Sequence, residues 1–189
     1  MKTDALFQDL KSRNNIRVIE NTDESIINDF EKRYYRFKEK FFYEQFLNCG
    51  GIIIDNWIRL YGCGPINVFD KNERYNINGV VDIIIGEDVL GGLFALKNDI
   101  VLYFAPDTNK WESLDLFYTQ FLNWLVNHPN DVNVFYEKFR WNTWKNDCQN
   151  IKDNEGYSFY PLLQNECNIE ERSRKVISID ELIRFNLGI

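Results

Sequence analysis

The stretch that most constrains the fold runs from Gly79 to Glu112, GVVDIIIGEDVLGGLFALKNDIVLYFAPDTNKWE. It holds three apolar runs rich in β-branched and aromatic residues, separated by Gly-Glu-Asp, Gly-Gly, Asn-Asp and Pro-Asp-Thr. Short runs of this composition between turn residues predict consecutive strands of one sheet. Asn98-Asp99 is a two-residue hairpin signal between Leu93–Lys97 and Ile100–Ala105, because a tight hairpin turn needs residues that tolerate positive φ. The runs are apolar at nearly every position, so both faces of the sheet are expected to be covered.

Around this centre the periodicity changes. Leu6, Phe7 and Leu10 recur at helical spacing within residues 4–12, with Thr3 as the expected N-cap. A short strand follows over Ile16 to Glu20. Thr22-Asp23-Glu24 opens a second helix carrying Ile26, Ile27, Phe30, Tyr34 and Phe37, with crowding near Lys38–Lys40 that favours a break and Gly50-Gly51 as the stop. Gly51 to Gly64 reads as a strand interrupted by a turn or bulge at Asp55-Asn56. Residues 65–79 are polar and read as a surface excursion. Beyond Glu112 a helix is expected over Asp115–Asn127 and another over Asp131–Asp147, separated by Pro129-Asn130, then loops and a last helix capped by Ser178 and ended by Gly188. Helices, clustered strands and helices again give an α+β fold: a central, mostly antiparallel sheet flanked by N- and C-terminal helices, in one domain spanning 1–189.

Composition narrows the function classes. A chain of 189 residues, 44% hydrophobic and 16% aromatic, can bury roughly 70% of its unfolded surface without metal or disulfide staples. Its net charge of −7 opposes phosphate backbones, so nucleic acid is not an expected partner, whereas a basic protein would be steered in. No apolar run has the length of a membrane span and the N-terminus lacks the apolar core of a signal peptide, so no membrane partner is expected. With Cys49, Cys63, Cys148 and Cys167 scattered and no export signal, the expectation is free thiols in the cytoplasm.

Each candidate site has a simpler structural role beside it. The one histidine, His128, sits before Pro129 at a helix end, where the macrodipole favours it. No Gly-x-Ser-x-Gly or paired cysteine accompanies it, and no residue is assigned a catalytic or metal-binding role. Gly62-x-Gly64 and Gly91-Gly92 lack the rest of a phosphate-binding loop, and no cofactor is expected. The alternating cations and rings of Lys32–Lys38 separate onto different helix faces and read as a solvated basic face. Two readings stay open. Glu87, Asp88, Asp107 and Glu112 lie at strand ends and could converge as a carboxylate cluster for a divalent cation, a small molecule or acid–base chemistry, or could serve as turn residues. The run Phe135–Trp144 could line a ligand groove or a protein interface, or could be core, with Trp141 and Trp144 three apart.

The same pieces carry a resemblance. Gly51–Asp55 with Trp57–Leu60, the Asp88-Val-Leu-Gly-Gly-Leu-Phe-Ala95 segment, Tyr103–Asp107 with Trp111-Glu112, and Phe135-Tyr136 through Arg140-Trp141 and Trp144 look like the hallmark of a bacterial family known only as a domain of unknown function. Ser158–Pro161 and Arg172–Lys175 fit it too. More loosely, the order of helix, strands with a D-x-x-G-G-x-F turn, and a further hairpin strand resembles the SUKH superfamily, although the Asn98-Asp99 turn is tighter than that superfamily's glycine-richer hairpin. The SUKH resemblance implies an α+β immunity or interaction partner of toxins; neither resemblance supplies a catalytic residue. The expected function is a non-catalytic protein-interaction module, of immunity type, that meets a basic toxin domain. The alternative is a small-molecule or metal-dependent activity using the carboxylates. The candidate ligand- or partner-binding residues are Asp88, Asp107 and Glu112 with Trp57, Trp111, Trp141 and Trp144.

Overall fold

The computed structural model describes residues 3–21, 24–37, 40–76 and 78–189. Its frame is a seven-stranded antiparallel meander in which every strand pairs with the next along the chain: β1 (Ile16–Ile19), β2 (Gly51–Ile54), β3 (Ile58–Tyr61), β4 (Ile83–Asp88), β5 (Leu93–Lys97), β6 (Ile100–Ala105) and β7 (Lys110–Phe117). β4 and β5 lie at its middle and are almost wholly buried, as their unbroken apolar sequences require. The Asn98-Asp99 turn joins β5 to β6 with φ of 51° and 67°, the left-handed pair that a two-residue hairpin demands.

Helices cover both faces. α1 (Thr3–Lys11), α2 (Glu24–Tyr34) and α3 (Phe41–Asn48) precede the inner strands, and a 3-10 turn at Tyr35–Phe37 breaks the long helical pattern. The side chain of Thr3 and residues 22 and 23 lie outside the described residues, and so do the N-caps assigned to them. α5 (Tyr118–Asn127) and α6 (Pro129–Phe135) lie on the face that carries Phe94 and Tyr103: Phe121 packs 5.0 Å from Phe94, and Phe135 5.1 Å from Tyr103. On the other face lie α4 (Val68–Tyr75) and the α8 helix (Ile179–Leu187), which packs on a separate hairpin, β8 (Glu155–Tyr160) with β9 (Ser173–Ser178).

Several sequence expectations change here. Gly51–Gly64 is a full hairpin, because Asp55 and Asn56 both adopt positive φ and reverse the chain. Residues 65–79 are not a surface excursion: Asn67 caps α4 by accepting from the Phe69 N–H, and Val68, Phe69, Asn72 and Tyr75 face inward. Asn72 explains the helix. Its amide donates to Ile84 O (2.8 Å) and accepts from Ile84 N (2.7 Å), pairing a backbone segment of β4 that β3 is too short to reach. The strand after Glu112 runs on to Phe117, so α5 begins three residues later than its apolar pattern suggests. Asp131–Asp147 is not one helix: a turn that includes Tyr136 N–H to Val132 O and Phe139 N–H to Tyr136 O ends α6 and sets α7 (Trp144–Gln149) apart. The tail is a hairpin rather than loops, and Gly188 ends α8 in the left-handed conformation as expected.

Candidate functional site

The D-x-x-G-G turn between β4 and β5 is a hydrogen-bonded clasp. Asp88 is fully buried, and its two oxygens divide four donors between them. Oδ1 accepts from the backbone N–H groups of Leu90 and Gly92, each at 2.9 Å. Oδ2 accepts from the hydroxyls of Tyr103 on β6 (2.7 Å) and Tyr136 after α6 (2.8 Å). The glycines follow from this geometry. Gly91 has φ of +76°, and a Cβ on Gly92 would lie 2.4 Å from the Tyr103 hydroxyl and 2.7 Å from Asp88 Oδ2. Burial pushes the Asp88 carboxyl above its ordinary pKa, partly offset by the four donors; the same burial, beside the Asp88 charge, raises both tyrosines.

Beneath the clasp lies a ring cluster. Trp57, in the β2–β3 turn, meets Tyr136, Trp141 and Trp144 at centroid separations of 5.3, 5.8 and 5.1 Å. Trp57, Trp141 and Trp144 are all buried, so of the two readings of Phe135–Trp144 the core one describes these rings. Trp141 also packs on Tyr157 and Phe159 of β8, which ties the separate hairpin to the sheet. Sequence reasoning passed over Arg140, whose guanidinium lies 3.9 Å from the Trp144 centroid; the adjacent cation in Phe-Arg-Trp was the available signal.

Glu87 points to the opposite face, as neighbours in a strand must. Its Oε2 accepts from the Tyr61 hydroxyl (2.7 Å) and Lys71 Nζ (2.8 Å), and Arg59 Nη1 stands 3.7 Å from Oε1. Arg59 is itself buried and donates to the Glu155 carbonyl at 2.6 Å, joining β3 to the start of β8. This is a buried ionic knot that holds α4 and the β8–β9 hairpin to the sheet.

Asp107, Trp111 and Glu112 are elsewhere, on the β6–β7 hairpin. Asp107 is half-buried in the hairpin turn, beside a cleft of about 230 Å³ that Lys138, Gln164 and Arg172 also line. Trp111 is half-exposed against Phe104, its cross-strand partner at 5.4 Å. Glu112 is exposed and accepts from Thr108 Oγ1 at 3.0 Å. The carboxylates therefore do not converge: Asp88 is sealed in the core, while Asp107 and Glu112 sit at the rim. Among the described residues no group of three His, Cys, Asp or Glu side chains is placed to hold a metal ion. Burial pushes the thiols of Cys49, Cys63 and Cys148 up to about 12, which keeps them protonated and poorly nucleophilic at neutral pH. Cys167 is the more accessible fourth free thiol.

The rim has a second component that the sequence assigned to a helix. β7 is the last strand of the sheet and, among the described residues, pairs with β6 alone. Its register jumps between Leu102↔Ser113 and Ile100↔Phe117, a bulge in which Asp115 takes φ of 54° and accepts from the Ser113 hydroxyl at 2.7 Å. Beyond the bulge Phe117 is 54% exposed. The bulge shortens the regular edge to Lys110–Ser113, a common device against uncontrolled strand pairing.

Fold and site define an α+β protein built on a seven-stranded antiparallel meander, with a buried Asp–Tyr–Tyr clasp at its centre and an acidic, aromatic rim at one edge. Residues 37–182 match the family described as protein of unknown function DUF2625, and the chain belongs to that family. It is 39% identical over 145 residues to the uncharacterised protein YbfG of Escherichia coli (strain K12), covering 70% of this chain and 66% of that protein. An uncharacterised protein of Haemophilus influenzae is 30% identical over 157 residues, covering 74% and 68% respectively. The chain thus spans about two thirds of the length of these curated relatives. No helix among the described residues is long and apolar enough to cross a membrane.

Proposed function

We propose that this protein is a non-catalytic, cytoplasmic interaction module, one domain in extent, that binds a basic protein surface through its β6–β7 hairpin. The observation that carries the reading is the free outer edge of β7, where half-exposed Trp111 lies beside exposed Glu112, Asp115 and Phe117. An aromatic anchor with a charged rim is the common anatomy of a protein contact. The hairpin carries Asp107, Glu112 and Asp115 against one cation, Lys110, so its own charge adds to the field of a chain at −7. The finer reading is an immunity-type partner of a basic toxin domain. It is supported by this charge and by the SUKH-like order of elements. The carboxylate alternative loses support because both oxygens of Asp88 are occupied by structural donors.

The test is affinity capture from a bacterial lysate with the wild-type chain and the double variant W111A/E112K. The expected outcome is a basic protein retained in stoichiometric amount by the wild type and lost by the variant. Equal retention by both, or an acidic partner, overturns the reading.

A further inference from the structure

The connection between α4 and β4 carries the sequence's one Asn-Gly pair, Asn78-Gly79, and the fold leaves it at an exposed tip. α4 closes at Tyr75 and β4 begins at Ile83, so neither residue belongs to a helix or a strand. The side chain of Asn76 holds the two ends of the tip together, donating from Nδ2 to the Val81 carbonyl at 2.9 Å. Between those anchors Asn78, Gly79 and Val80 are all exposed. Gly79 takes φ of +58°, and nothing stands within 4 Å of the place a Cβ would occupy. Packing therefore does not call for glycine here; the backbone conformation does. The Gly79 N–H donates to the Asn76 carbonyl at 3.3 Å, just beyond the usual span of a backbone hydrogen bond.

Asparagine is a thermally labile side chain, and the residue that follows it governs how fast it reacts. The reaction needs the next backbone nitrogen to reach the side-chain carbonyl carbon. A Cβ on that next residue hinders the approach, and regular secondary structure forbids it. Gly79 removes the first obstacle and the open tip removes the second. We propose that Asn78 is a modification site that reacts through the chain's own backbone. The Gly79 N–H gives its proton to solvent, the nitrogen bonds to Asn78 Cγ, and the side-chain nitrogen leaves as ammonia, taking a proton from solvent. Water then opens the cyclic imide at either carbonyl, leaving aspartate or isoaspartate at position 78. Either product adds a negative charge to a chain already at −7, and isoaspartate also lengthens the main chain by a methylene. The Asn76–Val81 bridge confines that change to the tip, so Asn72 keeps its pairing with Ile84. Asn98 is an internal control. It is exposed as well, but the next residue is Asp99, which carries a Cβ and is paired with Lys40 at 2.6 Å. The proposal does not rest on the interaction reading.

Intact mass and peptide mapping of the folded chain at mildly alkaline pH test the proposal, beside N78Q and the wild type held unfolded in guanidinium chloride. A protein-isoaspartate carboxyl methyltransferase with labelled S-adenosylmethionine is the probe for isoaspartate. The expected result is a gain of about one dalton, as OH replaces NH₂, located in the peptide that holds Asn78 and accompanied there by methyl label. The rate in the folded chain should lie within about tenfold of the unfolded rate, because an exposed segment outside helix and strand opens at little cost. N78Q, whose longer side chain must close a larger ring, should gain almost nothing, and so should the peptide that holds Asn98. Position 78 is exposed, so N78Q should keep the wild-type far-UV spectrum. A folded chain that reacts more slowly than that range, or an equal mass gain in N78Q, overturns the proposal.

Discussion

Replacing Asp88 by Asn removes one charge and almost no volume, so it isolates the hydrogen-bonding role of the clasp. The amide oxygen can keep the two backbone N–H groups of Leu90 and Gly92, which places the NH₂ against the Tyr103 and Tyr136 hydroxyls. Each hydroxyl can rotate to accept from the amide, and because the two hydroxyls also reach one another, one can donate to the other while the second proton loses its carboxylate acceptor. A stranded buried donor costs about 1–3 kcal/mol. That is a sizeable part of the roughly 5–15 kcal/mol that holds a typical domain folded. Urea unfolding followed by tryptophan emission is the assay, since Trp57 lies 5.3 Å from Tyr136. D88N should unfold at markedly lower urea with an unchanged slope. A midpoint equal to that of the wild type would refute the clasp as a structural element and reopen Asp88 as a functional carboxylate.

Four further outcomes follow from the same geometry. Burial raises the Asp88 pKa above its ordinary 3.8, so between 3.8 and the raised value the folded state binds more protons than the unfolded one. The stabilisation from this group is complete below that window and is lost as pH rises through it; the stability advantage of wild type over D88N should therefore shrink from pH 4 upward, as denaturation midpoints across pH will show. G92A should lower Tm by several degrees, because its methyl would meet the Tyr103 hydroxyl and Asp88 Oδ2 at sub-contact distances. N72A leaves the buried N–H and C=O of Ile84 unpaired and should cost roughly 2–5 kcal/mol by urea unfolding. R172A should speed amide exchange in residues 161–167, because Arg172 donates to the carbonyls of Pro161, Leu162, Asn165 and Cys167.

What was legible in the sequence was whatever local chemistry dictates. Asn98-Asp99 announced its hairpin because few residue pairs accept two successive positive φ values, and Gly188 announced a helix end for the same reason. The central sheet was legible because apolar strands of five or six residues have few other ways to be buried. α4 was not, because its polar sequence VFDKNERY gains its order from a tertiary partner: Asn72 completes a strand edge twelve residues away. β8 and β9 were missed for a related reason, since their pairing joins segments separated by a loop that Arg172 gathers through its carbonyls. At the site, Asp88 and Asp107 look alike in sequence, both acidic residues in turns. Only the arrival of Tyr103 and Tyr136 from two other elements makes one a sealed structural acceptor and leaves the other at the rim. Phe117 shows the limit of periodicity: its spacing suits the helix that follows, and the bulge at Asp115 instead leaves it exposed at the sheet edge.

We propose a division of labour, in which Asp88 and the ring cluster hold the fold and the β6–β7 rim meets the partner. Amide hydrogen exchange of the chain alone and in complex with its captured partner separates the two roles. New protection is expected to concentrate in residues 107–117, with the 88–92 turn already protected in the free protein and unchanged on binding. Protection that bypasses 107–117, or that appears at 88–92 only when the partner binds, would contradict it.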